Sequence, residues 1–506
     1  MKYIFMIWVM AAVCIVATAQ NEQDVLRYNG SMFGSSARNT GLAGAMGAVG
    51  HDISSVWMNP GGLAVNRNNV FSISASGTSF NSATNFANQV GKDSKFKMNI
   101  PSIGLVFTSV KYKDRKPVGE GWMNVNFGIT LNQTNNYNER FNFSGTTGRS
   151  SFMDYSAQTA NGYTTTELQD LGAVDIGSLG WQSFLIDQST MGTNTYKGMY
   201  HFVNDSMPHF TQSGIVNRWG SSRELGLALA GCFSKKIYVG GSIGIPFIRF
   251  GYTNNYSERD SGNSVTDFKS LEFQQTNNTS GYGFNAKLGI IYLITQAFRV
   301  GLAMHSPTFL SLKDNYSNGL TVNFDRKIGP NGQVGQEKWE VLDRPGESSF
   351  NLNSPGKTIF SVAYVEDKAG LFSIDVERVA NAKASISALD DPFAEINSNV
   401  KQLFKSSTNV RAGGELFDKS TFYRCGYSFY GSPYASKTLY KPAPSIRQSL
   451  TLGLGFYNKR HTLDIGYAYT WRKDFYSPYT LETGNYETAI NKMNNQSVVV
   501  SYITKF

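Results

Sequence analysis

Alternation is the feature that most limits what this chain can become. In HTLDIGYAYTWRK (461–473), Leu463, Ile465, Tyr467, Tyr469 and Trp471 fall on one side of an extended chain. Thr462, Asp464, Gly466, Ala468 and Thr470 fall on the other. RQSLTLGLGFYN sets Leu450, Leu452, Leu454 and Phe456 against Ser449, Thr451, Gly453 and Gly455, and the last strand lines up Val498, Val500, Tyr502 and Phe506. A period of two marks a strand with one apolar and one small or polar face. Beyond residue 19 no segment approaches the roughly 18 consecutive apolar residues of a membrane helix. With 50 Gly, 34 Phe, 27 Tyr and only 16% charged residues, the chain reads as all-β.

Fourteen segments carry strand signals: 69–80, 98–112, 122–140, 222–234, 235–257, 280–295, 296–317, 354–367, 369–380, 407–417, 420–431, 446–458, 460–475 and 493–506. The number is even, as in single-chain bacterial outer-membrane barrels. Connections after the even-numbered segments are short and polar (KDRKPVGEG, SKK, TQA, EDK, DKS, NKR). Those after the odd-numbered segments are long, notably 141–221, 258–279, 313–353 and 381–406. Short periplasmic turns and long outer loops sort in this way in a transmembrane barrel, and a soluble sandwich has no reason to do so. The expected fold is a transmembrane antiparallel β-barrel of about 14 strands over residues 67–506. Closure pairs every backbone group without leaving an edge in lipid.

Residues 1–19 have the layout of a secretory signal: Lys2, an apolar run Ile4–Val16, then Ala17-Thr18-Ala19. Cys232 and Cys425 lie in strand-like runs and read as wall residues, although a bridge between them stays open. The net charge of +9 is spread along the chain, so a nucleic-acid footprint is not expected. Phe506 ends an alternating strand, as in proteins inserted by the outer-membrane assembly machinery.

Alternation also assigns the lumen. Arg411, Glu415, Arg424, Asp375, Glu377, Asp464 and Lys287 all fall on the inward side. These charges either brace the wall by pairing across strands, or Arg411, Arg424 or Lys287 meets an anionic head group. Pro101 with Gly104, Gly128, and Gly244 with Pro246 interrupt wall strands and mark candidate bulges or kinks. Within 141–221, Leu168, Leu171, Leu179, Trp181, Phe184 and Leu185 suit one or two short helices that pack together or greet a hydrophobic ligand.

Catalytic motifs fail on context. Gly240–Gly244 matches G-x-S-x-G around Ser242, but it sits mid-strand with no helix following. SPGKT (354–358) lacks the first glycine of a P-loop, because position 351 is Asn351. The five histidines, including the His305-Ser306 pair, show no ligand spacing. The chain reads as a non-enzyme with no cofactor and no metal.

One segment stands apart. SARNTGLAGAMGAVGHDISSVWMNPGGLA (36–64) can build almost no core alone. It resembles the small-residue run and D-x-S-x-x-x-x-N-P-A pattern of the FadL-type outer-membrane transport proteins, with Asp52, Ser54, Asn59 and Pro60 on the pattern. Gly61 stands where the family usually has Ala. The strand count agrees with that family over nearly the whole chain. The resemblance implies that residues 20–66 form a hatch inside the lumen, with Trp57 and Met58 as its bulky contacts. It further implies capture of a hydrophobic compound such as a long-chain fatty acid, an apolar pocket, and lateral release through a kinked third strand. Gly128 is the candidate for that kink. The expected setting is the outer membrane of a Gram-negative bacterium, with lipids and a hydrophobic small molecule as partners and the chain as a monomer. A surface barrel whose large loops bind partner proteins is the alternative.

Overall fold

A computed structural model describes residues 22–30, 32–114, 116–172, 175–202, 207–329, 335–342, 345–366, 369–389, 391–435 and 445–506. The signal segment 1–19 lies outside the described residues. Fourteen antiparallel strands close into one barrel. In chain order they are β1 (Val70–Phe86), β2 (Gln89–Val110), β3 (Trp122–Asn136, continued by Glu139–Thr147), β4 (Phe210–Phe233), β5 (Ile237–Arg259) and β6 (Phe268–Leu293). Next come β7 (Phe298–His305 and Thr308–Ile328), β8 (Gly346–Ser354 and Lys357–Glu366), β9 (Gly370–Val379) and β10 (Ser407–Asp418). The last four are β11 (Thr421–Tyr430), β12 (Arg447–Tyr457), β13 (His461–Tyr476) and β14 (Ala489–Lys505). Closure is made by β1, which pairs with β2 from Val70↔Val106 and with β14 from Val70↔Lys505.

The outer face is apolar where the alternation predicts it. Leu450, Leu452, Leu454 and Phe456 on β12 are exposed, as are Leu463, Ile465 and Tyr469 on β13 and Val498, Val500 and Tyr502 on β14. Each such side chain left in water forgoes about 1.5–3 kcal/mol. A continuous ring of them is therefore tolerable only in lipid, and the barrel spans a membrane. Cys425 faces outward, Cys232 is buried, and the two are free.

Several strands run much further than their hydrophobic pattern. The segment 81–97 was expected to connect two strands. It is instead strand on both sides of a two-residue hairpin at Ala87 and Asn88, which take φ of 45° and 65°. Positive φ at both positions matches the twist of the flanking strands. Likewise the expected loop 258–279 shrinks to the few residues between Arg259 and Phe268. Above the lipid belt the outward residues turn polar, and the alternation fades while the ladder continues.

The 148–209 connection folds into a cap with three short helices, α4 (Phe152–Ala160), α5 (Thr165–Asp170) and α6 (Ile176–Gln182). Each begins at a side chain that accepts the orphan amides of the first turn: Ser151, Thr164 and Asp175. Leu168, Leu179 and Leu185 are buried beneath them.

Candidate functional site

Residues 32–66 fill the lower lumen as a plug with three short helical turns, α2 (Ala37–Gly41), α3 (Ser55–Met58) and the 3-10 turn Pro60–Val65. A segment this poor in bulky residues folds because the barrel surrounds it. Ser36 caps the first turn by accepting from the Asn39 amide at 3.1 Å, and its own hydroxyl donates to Asp52 at 3.0 Å. Asp52 also accepts from the Ser54 amide at 2.8 Å, so the two ends of the plug are tied through one buried carboxylate. Trp57 donates its indole N–H to Ser35 Oγ at 3.4 Å, and Met58 Sδ accepts from Asn39 Nδ2 at 3.1 Å. Asn59 Nδ2 donates to Gly47 O at 2.6 Å and reaches Ile290 O of β6 at 3.3 Å, while its Oδ1 accepts from Gly61 N at 3.1 Å. Pro60 opens the last helical turn, where its missing N–H costs nothing. A Cβ at Gly61 would lie 2.8 Å from Tyr238 O and 3.0 Å from Gly289 O, which is why glycine stands there.

The wall holds this plug differently on its two sides. Towards β3 and β4 the contact is apolar: Val56 and Leu63 pack into the room left by Gly128 and Gly226. Towards β9–β13 it is ionic. Arg38 forks onto Glu415, Nε to Oε2 and Nη2 to Oε1, both at 3.0 Å. Glu415 accepts from Arg424 Nε at 2.6 Å, and Arg424 Nη1 donates to Asp464 at 2.6 Å. Asp375 accepts the amides of Met46 and Gly47 at 3.2 and 3.1 Å, while Arg411 reaches Glu377 at 3.4 Å and Asp375 at 3.8 Å. Lys287 donates to Glu224 at 2.7 Å.

Above the plug lies a cavity of about 1450 Å³. Helix α1 (Glu22–Asn29) contributes Asp24 and Arg27 to its lining. Arg411, Arg424 and Lys287 do not line it; they are committed to wall carboxylates, and Arg424 also to the residue that holds Arg38. Among the described residues, Arg218, Lys357, Arg447 and Arg472 are the cations that face the cavity from the wall. Glu139 bridges two of them, to Arg218 at 3.2 Å and Arg472 at 2.7 Å, and Arg447 stacks 4.1 Å over the Tyr430 ring. Their inward facing was legible for Arg472, which follows outward Trp471. Arg218 and Arg447 lie outside the strand-like segments read from the sequence or at their margin. Apolar and polar side chains share the space about equally: tyrosines, asparagines and these cations line it together with Phe33, Phe80, Phe250, Phe273 and Phe404. A polar lumen is the ordinary consequence of alternation in a barrel.

The cavity reaches a flaw in the wall. Pro101 sits at a bulge in β2, between the pairings Ser74↔Ser102 and Ser76↔Asn99. On its other side β2 pairs with β3 only over Ser102–Val110, opposite Asn132–Asn124. Just beyond, β3 slips register against β4 between Gln133 and Asn135, pairs again at Asn135↔Ser222 and Asn136↔Ser221, and after Tyr137 and Asn138 continues from Glu139↔Arg218. Side chains rather than backbone bridge the interval. Asn99 bonds Gln133, and Lys95 Nζ donates to Asn217 Oδ1 at 2.8 Å and to Arg218 O at 3.0 Å. Gly128 is not the kink: its pairs Val106 and Ala228 belong to unbroken ladders, and its lack of a side chain seats the plug. Pro246 does interrupt pairing, between Gly244↔Asn285 and Phe247↔Tyr282, while remaining paired to Glu224 on β4. Ser242 stays on a straight strand, paired to Ala228 and Lys287, with no turn to expose it.

These features define a plugged membrane barrel with a large outer-side cavity and a lateral interruption between β2 and β3. No protein-family model and no curated protein matches the sequence. Solved structures do match the fold. The P. putida toluene transporter TodX superposes with a TM-score of 0.50 at 13% identity, covering 94% of this chain and 99% of that one. A Pseudomonas aeruginosa FadL homologue superposes with a TM-score of 0.52 at 10% identity, covering 94% and 100%. The chain therefore has the FadL-type fold.

Proposed function

We propose that the protein carries hydrophobic or amphipathic small molecules, long-chain fatty acids among them, across the outer membrane of a Gram-negative bacterium without an energy source. The observation that carries this reading is the meeting of cavity and flaw. Asn99 and Pro101 of β2 and Gln133, Asn135 and Asn136 of β3 line the cavity and also border the interval where backbone pairing stops. A tail leaving there enters lipid directly, and each methylene kept from water saves about 0.8 kcal/mol. Aromatic rings and the arginines beside Glu139 suit an amphiphile better than a bare hydrocarbon. In this reading the plug, with Asp52, Ser54 and Asn59 holding its shape and Trp57 and Met58 its bulk, is the hatch that keeps the lower lumen shut. Phe506, exposed at the end of β14, is its assembly signal.

Joining β2 to β3 tests the route. In the double variant Asn99→Cys/Gln133→Cys, a thiol-to-thiol cross-linker should cut uptake of a radiolabelled fatty acid by cells at least tenfold, and cleaving the linker should restore it. Unchanged uptake in fully cross-linked protein would sink the lateral route.

A further inference from the structure

A row of lysines crosses the outer surface beside this gap. Ala83 of β1 pairs with Lys92 of β2 on one side and with Lys492 of β14 on the other, and Lys492 pairs in turn with Lys473 of β13. All three lysines are exposed. They share the outward side of their strands with Phe96, Val498 and Trp471, two to six positions away. Arg140 of β3 continues the row across the gap, where Asn142 Nδ2 of the same strand donates to Lys92 O at 3.1 Å. Asp93 pairs with Arg140 at 3.2 Å and so balances that end of the row, while Asp474 is committed to Arg472 at 2.6 Å; the positive charge therefore gathers on Lys92, Lys492 and Lys473.

Two lysines directly opposed on neighbouring strands repel and destabilise the pair. Such a pair is tolerable where an anion lies between them. The height of the row says which anion. Thirteen positions separate Val70 from Ala83 along β1 (83 − 70). At about 3.3 Å per residue and a tilt near 40°, that is roughly 33 Å, just above an apolar band about 25 Å tall. The ammonium groups thus stand at head-group level, with apolar residues below them and their stems free to lie along the surface.

We propose that the outer face of β13–β14–β1–β2 docks the phosphates of a phosphorylated glycolipid in the outer leaflet, beside the interval between β2 and β3. The site depends on the barrel spanning the outer membrane and not on any cargo.

Native mass spectrometry of the full-length protein in a non-ionic detergent tests this, with lipid A and its dephosphorylated form as probes. Lipid A should be retained and the dephosphorylated form lost. The variant K92Q/K473Q/K492Q should weaken lipid A retention on the order of a hundredfold, at about tenfold for each 1.4 kcal/mol and about 1 kcal/mol per basic residue. Removing three lysines from periplasmic turns instead, K235Q/K419Q/K459Q, should leave retention unchanged and controls for net charge. Equal retention by native protein and the first variant would overturn the site. Equal retention of phosphatidylglycerol and lipid A would overturn its assignment to the glycolipid. Thermal unfolding of both variants checks that the barrel remains closed.

Discussion

The plug meets two unlike walls. On the β3–β4 side Val56 and Leu63 lie against Gly128 and Gly226, a contact of shape with little directionality. On the β9–β13 side, Arg38, Glu415, Arg424 and Asp464 form a chain of charges with spacings of 2.6–3.0 Å, and Asp375 grips two backbone amides. Apolar surfaces slide and repack at modest cost, whereas a buried charge that loses its partner is left uncompensated. The difference teaches where the plug is anchored and where it is free to give. The yielding side is the one that faces the interrupted wall.

Breaking the ionic side should have the largest effect. Arg424→Met strands Asp464 in a buried setting and leaves Glu415 to Arg38 alone; it should destabilise the plugged barrel by about 3–5 kcal/mol, read as the loss in urea midpoint and as faster amide exchange over residues 37–47. A loss no larger than that of a surface Arg would erase the contrast between the two sides. On the apolar side, Gly128→Val brings a Cβ to 2.9 Å from Leu63 Cδ2 and 3.2 Å from Val56 Cγ2. Overpacking of that kind costs about 1–3 kcal/mol, and proteolysis should then cut the plug while the barrel resists.

The cap supplies the third comparison, because its latch is a carboxylate with donors and no cation. Glu258, on the part of β5 above the lipid belt, accepts from Phe152 N at 3.0 Å, Tyr256 OH at 2.8 Å and Gln212 Nε2 at 3.3 Å, and from Ser151 Oγ. Asp154 and Tyr479 face it from the cap and from the β13–β14 connection. Burial, resisted by these hydrogen bonds, pushes its pKa up from 4.5 to about 7. A raised carboxyl pKa means that docking is strongest below pH 4.5 and weakens as pH rises through about 7. Between pH 6 and pH 8 the docked fraction should fall about tenfold relative to the undocked, read as exchange of the α4 amides. Glu258→Gln should flatten that dependence; a native profile already flat would remove the titration.

Much of the wall was legible because lipid on one side and small residues on the other write a period of two into each strand. The inward facing of Glu415, Arg424, Asp375 and Arg411 came from the same alternation, and the register then sets Glu415 opposite Arg424 and Asp375 opposite Arg411. The strand extensions were not legible. From Asn81 to Lys97 both faces are polar or mixed, so the ladder carries on without a pattern to announce it. The interruption in β3 falls in NQTNNYN, where an uninterrupted polar run was a better signal than the lone Gly128. Nor does any local pattern reveal that Arg38 would find Glu415: their pairing spans 377 positions and exists only once the barrel is closed.

That distance has a consequence for how the molecule comes into being. Ala37 N donates to Ser501 Oγ, 464 residues away, and Thr451 Oγ1 donates to Gly41 O from 410 residues away. A segment that leaves the ribosome early is therefore among the last to find its partners. Until β10–β14 arrive, the plug has no surface on which to settle, and contacts of such long sequence separation form slowly. Its glycines and alanines then serve a second end. They offer little for a nascent segment to stick to while it waits.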